Sequence, residues 1–383
     1  MDVTVYKNCL AHTNGVYISN EIAPYKPCCW FKTGIEAATS EEYKQKLSAL
    51  DIEFNCSHCI KQEAAGASWS HRQLFNKPRE FVLGVCFDNI CNLKCVTCSP
   101  IHSSQLIQEW EELDKFYGNY DKRYFTRLSK QAPSKLEFIK ETLSTSKFDE
   151  LRLEIFGGEP LINPTVFEFI DWLAEQPYAQ NTTLSITTNG TTFTDKIEGY
   201  INSFRHVSIQ LSIDGIGNTF EYLRYGADFA ATKQVIDNYY ALYVSNNNFN
   251  NFLLGFNYTL SWMNAIHFAE FYNWTAKNYP TIDLYLTKVE GPEEYSVEVI
   301  PAAARAAILA TNLAACINRP SDRFDNIIKL YTESMTFMHG NADQKKFNKA
   351  LAALNVLDAR RGNDHATTFK NTIEMINESF RQS

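Results

Sequence analysis

Apolar and polar positions along this chain follow two rhythms. Short apolar runs at residues 81–87, 150–156, 183–188, 206–213, 253–260 and 282–289 have the length and β-branched or aromatic character of buried strands. Between them lie segments with helical periodicity, among them residues 103–116, 134–143 and 164–174. Strand and helix alternating six times predicts parallel pairing with right-handed crossovers, which closes into a partial α/β barrel of six units. Ahead of it, residues 15–19 and 25–31 read as the arms of a hairpin around Asn20 and Pro24, and a helix over residues 40–50 starts at Ser40 with Glu41 and Glu42 in its first turn. Pro78 closes a helix-then-polar stretch and marks a boundary. Past Gly291 the pattern is helical at residues 302–317, 323–339, 343–357 and 367–380. The expected organisation is an N-terminal cysteine-rich α+β domain at 1–78, the partial (β/α)6 barrel at 79–290, and a helical C-terminal region at 291–383.

Composition narrows the class. A chain of 383 residues with 14% aromatics can bury two or three domains' worth of core. A net charge of −8 argues against non-specific binding to nucleic acid or an anionic membrane. The first residues lack an apolar leader, and the most apolar long stretch, residues 300–317, carries Arg305 and is alanine-rich, so no membrane span is expected. Ten cysteines fall at metal-ligand spacings rather than in a disulfide framework, which suits a reducing cytoplasm.

The chemistry begins where the first barrel strand ends. In FVLGVCFDNICNLKCVTCSP the run 81–85 leads into Cys91, Cys95 and Cys98, on the loop where α/β folds place active sites. Three thiolates at x3 and x2 spacing wrap one face of a cubane cluster and leave one iron open to an exogenous ligand. Zinc loops favour C-x2-C pairs with four ligands. Further on, Gly157 and Gly158 of FGGEP clear side chains from a strand end, and Glu159 offers an acceptor to an ammonium group. Thr188 and Asn189 end the third strand facing the same region, or cap a turn there. Alternation puts Ser212 and Asp214 on one face, where both can bond a ribose diol, and the fork of Arg224 matches a carboxylate. Cysteines 9, 28, 56 and 59 make a second, four-ligand set that suits either a closed cluster or structural zinc. Cys29 is the spare, able to replace Cys28 because neighbours on a strand face opposite ways. Cys86 reads as a small core residue.

The strings CNLKCVTCSPIHSS, FGGEPLINP, TTNGT and LSIDGIGNTFEYLRYG, with the N-terminal cysteine set, resemble the twitch-domain (SPASM-related) proteins of the radical S-adenosylmethionine (SAM) superfamily over most of residues 1–290. The resemblance implies a [4Fe-4S] cluster on Cys91, Cys95 and Cys98 that cleaves SAM to a 5′-deoxyadenosyl radical. It further implies SAM held through Gly157, Gly158, Glu159, Thr188, Asn189, Ser212, Asp214 and Arg224, and an auxiliary [4Fe-4S] cluster on Cys9, Cys28, Cys56 and Cys59. An external donor such as a flavodoxin or ferredoxin would supply electrons. Three departures stand out: Ala23 replaces a glycine of the twitch pattern, the cysteine-rich domain precedes the barrel, and Thr97 takes the place of a large residue beside the adenine. LDARRGND at residues 357–364 resembles the tail of many twitch proteins, and its charges read as a helix cap or as part of a lid. A two-cluster electron carrier and a zinc-binding interaction module are the alternatives. Neither needs FGGEP, Ser212 or Arg224. The substrate, whether ribosomal peptide, protein side chain or small metabolite, is left open.

Overall fold

Local periodicity and long-range pairing together build one sheet. The computed structural model describes residues 9–21, 25–29, 31–35, 40–47, 51–64, 70–118, 120–246, 251–289, 291–316, 322–336 and 342–382. Its strands are β1 (Gly15–Ile18), β2 (Tyr25–Lys26), β3 (Glu80–Val85), β4 (Glu150–Ile155), β5 (Thr182–Thr188), β6 (His206–Ser212), β7 (Phe252–Leu260) and β8 (Asp283–Lys288). They pair in the order β2-β1-β3-β4-β5-β6-β7-β8. From β3 to β8 every pairing is parallel, in register Val85 with Ile155, Ile155 with Ile186, Thr188 with Leu211, and Ser212 with Asn257. This is the six-unit partial barrel that the alternation predicts.

The two faces of the sheet differ as period-2 patterning requires. Leu151, Leu153 and Ile155, then Leu184 and Ile186, then Val207, Ile209 and Leu211 are buried against the helices. The alternate row, with Glu154, Ser185, Ser208, Gln210 and Asn257, is polar and half-buried and lines the inner side. The first helices are α1 (Ser40–Leu47), α2 (Ser57–Ala64), α3 (Ile107–Tyr117), α4 (Lys122–Leu128) and α5 (Ala132–Thr145); next come α6 (Pro164–Ala174), α7 (Lys196–Ser203), α8 (Gly217–Leu223), α9 (Phe229–Ser245) and α10 (Phe268–Asn278). The C-terminal helices α11 (Ala302–Ala315), α12 (Asp322–Thr336), α13 (Gln344–Arg361) and α14 (Lys370–Gln382) follow. Among the described residues no helix is long and apolar enough to cross a membrane.

The N-terminal hairpin forms, with a second arm of only two residues, because Pro27 has no N–H to continue the ladder. The position of β1 was not visible in the periodicity. It lies parallel to β3, Gly15 beside Val82 through Ile18 beside Val85, and so extends the barrel sheet by one strand. Gly84 makes this possible: a Cβ there would stand 2.3 Å from the ring of Tyr17. The docking is locked from α5. The buried Lys135 Nζ donates to Ser19 O at 3.0 Å, Asn20 Oδ1 at 2.6 Å and Cys86 O at 2.8 Å, tying the end of β1 to the end of β3. Replacing Lys135 by methionine leaves buried acceptors unpaired and is expected to cost about 3 kcal/mol in chemical denaturation, with faster proteolysis near residues 19–21 of the folded protein. A methionine variant as stable and as protease-resistant as the parent would refute this tie.

Candidate active site

The loop leaving β3 is shaped by its polar side chains before any cofactor is considered. Asn89 Nδ2 donates to Pro100 O at 2.7 Å and Phe125 O at 3.0 Å, and Ser103 Oγ donates to Leu93 O at 2.6 Å, pinning the two ends of the loop together. Its middle is paired to the segment after α8, since Lys94 N bonds Tyr225 O at 2.9 Å and Val96 N bonds Leu223 O at 2.8 Å. Cys95 therefore sits between two ladder bonds, opposite Arg224. Burial raises the thiol of Cys91, pushes Cys95 up to about 11, and raises Cys98 further, the last also through repulsion from Cys95 and Cys91. Thiols that repel one another on ionising deprotonate together more readily when cationic metal takes up their charge. Among the described residues no three His, Cys, Asp or Glu side chains are disposed to hold a single metal ion. A cubane, whose ligands sit on different irons, is the group this donor set fits.

FGGEP closes over this loop. Gly157 and Gly158 have φ of 73° and 58°, and a Cβ on them would stand 2.2 Å from Cys86 Sγ and 2.6 Å from Ile90 O respectively. The glycines were expected to clear room for a ligand; in the structure the room is filled by the cysteine loop, and Glu159 N donates to Ile90 O at 2.7 Å. Glu159 is likewise not a waiting acceptor. Its buried carboxylate already accepts from Leu161 N at 3.0 Å, Thr188 Oγ1 at 2.6 Å and Asn189 N at 2.7 Å, because a buried charge must find donors wherever neighbouring strands end. One of its roughly four acceptor sites is left. Thr188 and Asn189 thus hold the strand ends together, and Asn189 reaches further, its Nδ2 lying 3.8 Å from Cys91 Sγ and 2.8 Å from Asn92 Oδ1.

Ser212 is nearly buried at the end of β6, on the inner row with Gln210 and Asn257. Asp214 has other partners than a ribose: Oδ1 accepts from Thr259 N at 2.8 Å and Oδ2 pairs with Arg224 at 2.8 Å. The fork of Arg224 is consequently shared. One nitrogen binds Asp214, NH1 lies 4.0 Å from Cys95 Sγ, and the buried Nε has no hydrogen-bond partner. An unpartnered guanidinium N–H on a side chain that reaches the Cys95 thiol is an open position for an anion, and a carboxylate-bearing cofactor such as SAM fits it.

Cys9, Cys28, Cys56 and Cys59 line one small cavity with His12, His58 and Phe31. Burial raises Cys9 and pushes Cys56 up to about 12, with repulsion among Cys9, Cys56 and Cys59 adding to it. Cys29 points elsewhere. It is exposed and lines a cavity of about 970 Å³ above the cluster loop, together with Tyr17, Lys26, Thr97, His102 and Trp110. Ala23 lies outside the described residues. Cys86 is a core residue, fully buried with Sγ 3.3 Å from Asp88 O. Sequence reasoning missed the buried ion pair of Glu109 with Arg361 and the half-exposed Lys94 that joins it next to Cys95; the signal was the LDARRGND string, whose charges were read as a cap or lid.

Residues 85–269 match the model of the radical SAM superfamily. Over 142 residues, 37% of this chain, the sequence is 29% identical to the radical SAM cyclopropyl synthase TigE of Paramaledivibacter caminithermalis, of which the match covers 28%. Among solved structures, anSMEcpe with bound AdoMet is 17% identical with a TM-score of 0.43, over 62% of this chain and 58% of that one. Streptococcus suis SuiB bound to precursor peptide SuiA is 13% identical with a TM-score of 0.38, over 84% of this chain and 58% of that one. The chain thus spans about a quarter of TigE and less than two thirds of either solved relative. With the three-thiol loop standing at the end of the first strand of a parallel partial barrel, residues 85–269 of this chain form a domain of the radical SAM superfamily.

Proposed function

We propose that the protein is a radical SAM enzyme of the twitch-domain type, acting on a peptide or protein side chain. The observation that carries the reading is the unpartnered Nε of Arg224, whose NH1 lies 4.0 Å from Cys95 Sγ on the three-cysteine loop. One-electron cleavage of SAM to a radical that takes hydrogen from a substrate C–H bond is the chemistry this cofactor pair supplies when bound. The chain's own part is to bind and orient. Cys91, Cys95 and Cys98 hold the cluster, and Asn189 Nδ2 donates toward the Cys91 sulfur, which favours its thiolate. Arg224 takes the SAM carboxylate through the N–H that Asp214 leaves open, while Asp214 fixes the plane of the fork. Ser212 presents its hydroxyl from the inner row, where a ribose can reach it.

Substrate enters the large cavity, whose lining of Trp110, Phe125 and Phe156 with Lys26, Lys288 and Glu293 suits an amphipathic peptide segment. Cys9, Cys28, Cys56 and Cys59 hold an auxiliary [4Fe-4S] cluster beside that cavity, and a flavodoxin or ferredoxin in a reducing cytoplasm supplies electrons. Adjacent Cys28 and Cys29, one in each cavity, support that proximity.

Anaerobic reconstitution is expected to give about eight irons per chain, and the Cys91, Cys95 and Cys98 triple alanine variant about four. A count near four with stoichiometric zinc would remove the auxiliary cluster. Without substrate, the reduced protein should slowly release 5′-deoxyadenosine from SAM, which neither an electron carrier nor a zinc module would do. Arg224→Ala should raise the SAM concentration needed by about thirtyfold, the equivalent of roughly 2 kcal/mol for a charge-assisted contact, whereas Cys95→Ala should abolish release at any concentration. Glu159→Gln replaces an acceptor with a donor facing Thr188 and Asn189. It should destabilise the fold by about 2 kcal/mol and lower iron loading before it changes SAM affinity.

A further inference from the structure

The LDARRGND segment does more than cap a helix. Helix α13 ends at Gly362, in the left-handed conformation with φ of 70° and ψ of 25°, and the last helical side chain, Arg361, turns inward. Its side chain is 2% exposed and pairs with Glu109 of α3, whose side chain is 1% exposed. Arg361 Nε donates to Glu109 Oε2 at 3.2 Å, and the guanidinium lies 4.6 Å from the centroid of Tyr225. Tyr225 OH in turn donates to Arg361 O at 3.2 Å. The other oxygen of Glu109 faces Lys94 Nζ at 3.4 Å. Lys94 and Tyr225 are the residues whose backbones pair across Cys95.

Two cations thus share one buried carboxylate directly behind a cluster ligand. Arg361 NH1 is buried without a hydrogen-bond partner, so the guanidinium charge is incompletely matched. Burial strengthens the field such a group exerts on its surroundings.

We infer that Arg361 is a positioning residue that does two things through Glu109, Lys94 and Tyr225: it holds the Cys95 loop against the Arg224 segment, and its guanidinium, with Lys94 Nζ, places positive charge beside that loop that favours the reduced form of the cluster. The inference rests on the proposed SAM-binding cluster. A purely structural clamp would not set the sign of a redox shift; a charge does.

The test is the midpoint potential of the cluster bound by Cys91, Cys95 and Cys98, measured by electron paramagnetic resonance during reductive titration in a Cys9, Cys28, Cys56 and Cys59 quadruple alanine background. Arg361→Gln should lower the potential and Glu109→Gln should raise it, although both break the same ion pair. Arg361→Lys should stay near the parent. Lys94→Gln, at a half-exposed position, should lower the potential without emptying the buried arginine site, and so decides the matter where Arg361→Gln loads too little iron. Shifts of the same sign in Arg361→Gln and Glu109→Gln, or no shift in Lys94→Gln at full iron content, would overturn the inference. A parent protein with no cubane signal would instead sink the proposed function itself.

Discussion

Everything around the three cysteines depends on one close approach, that of the turn after β4 to the loop after β3. Only glycine fits at Gly157 and Gly158, because both have positive φ and because a Cβ would strike Cys86 or the Ile90 carbonyl. With the backbones in contact, Glu159 N closes on Ile90 O, and the Glu159 carboxylate is carried to the end of β5, where Thr188 and Asn189 meet it. Asn189 then reaches back toward Cys91. A ring of contacts through three adjacent strand ends thereby reaches the first thiol. Parallel register makes the ring possible, since it brings successive strand ends to one rim.

Buried charge organises the opposite side of the loop. Arg224 and Asp214 pair at one edge of Cys95, and Arg361 and Glu109 pair behind it. Each pair is costly to bury and costlier to break, on the order of 3–5 kcal/mol when one partner is removed. Neither pair is fully matched, because Arg224 Nε and Arg361 NH1 both lack partners. Charged side chains so placed can act on a neighbouring anion, whether a thiolate or a carboxylate, as well as on each other. A hydrophobic clamp could hold the loop equally well and would supply no field.

The N-terminal segment is continuous with the barrel through its backbone. Strand β1 extends the sheet beside β3, Tyr17 lies over Gly84, and its hydroxyl donates to Glu154 Oε2 at 2.6 Å on the inner face. Lys135 fastens the far end of the strand. The cavity lined by Cys9, Cys28, Cys56 and Cys59 is thus held in a defined position relative to the large cavity, and the adjacent residues Cys28 and Cys29 face one each.

What the sequence determined by itself was local. Period-2 runs alternating with helical segments specified six parallel strands, and cysteine spacing placed three thiols on the first strand's exit loop, because both signals act within a few residues or one turn. Tertiary structure decided the partners. That β1 joins the barrel, that the FGGEP glycines pack against Cys86 and Ile90, and that Asp214 pairs with Arg224 all depend on which strand ends and helix ends meet. Arg361 and Glu109 are 252 residues apart in the chain. Their charges look like ordinary helix-end decoration until folding excludes water from both, and a buried charge takes whichever opposite charge the packing brings within reach.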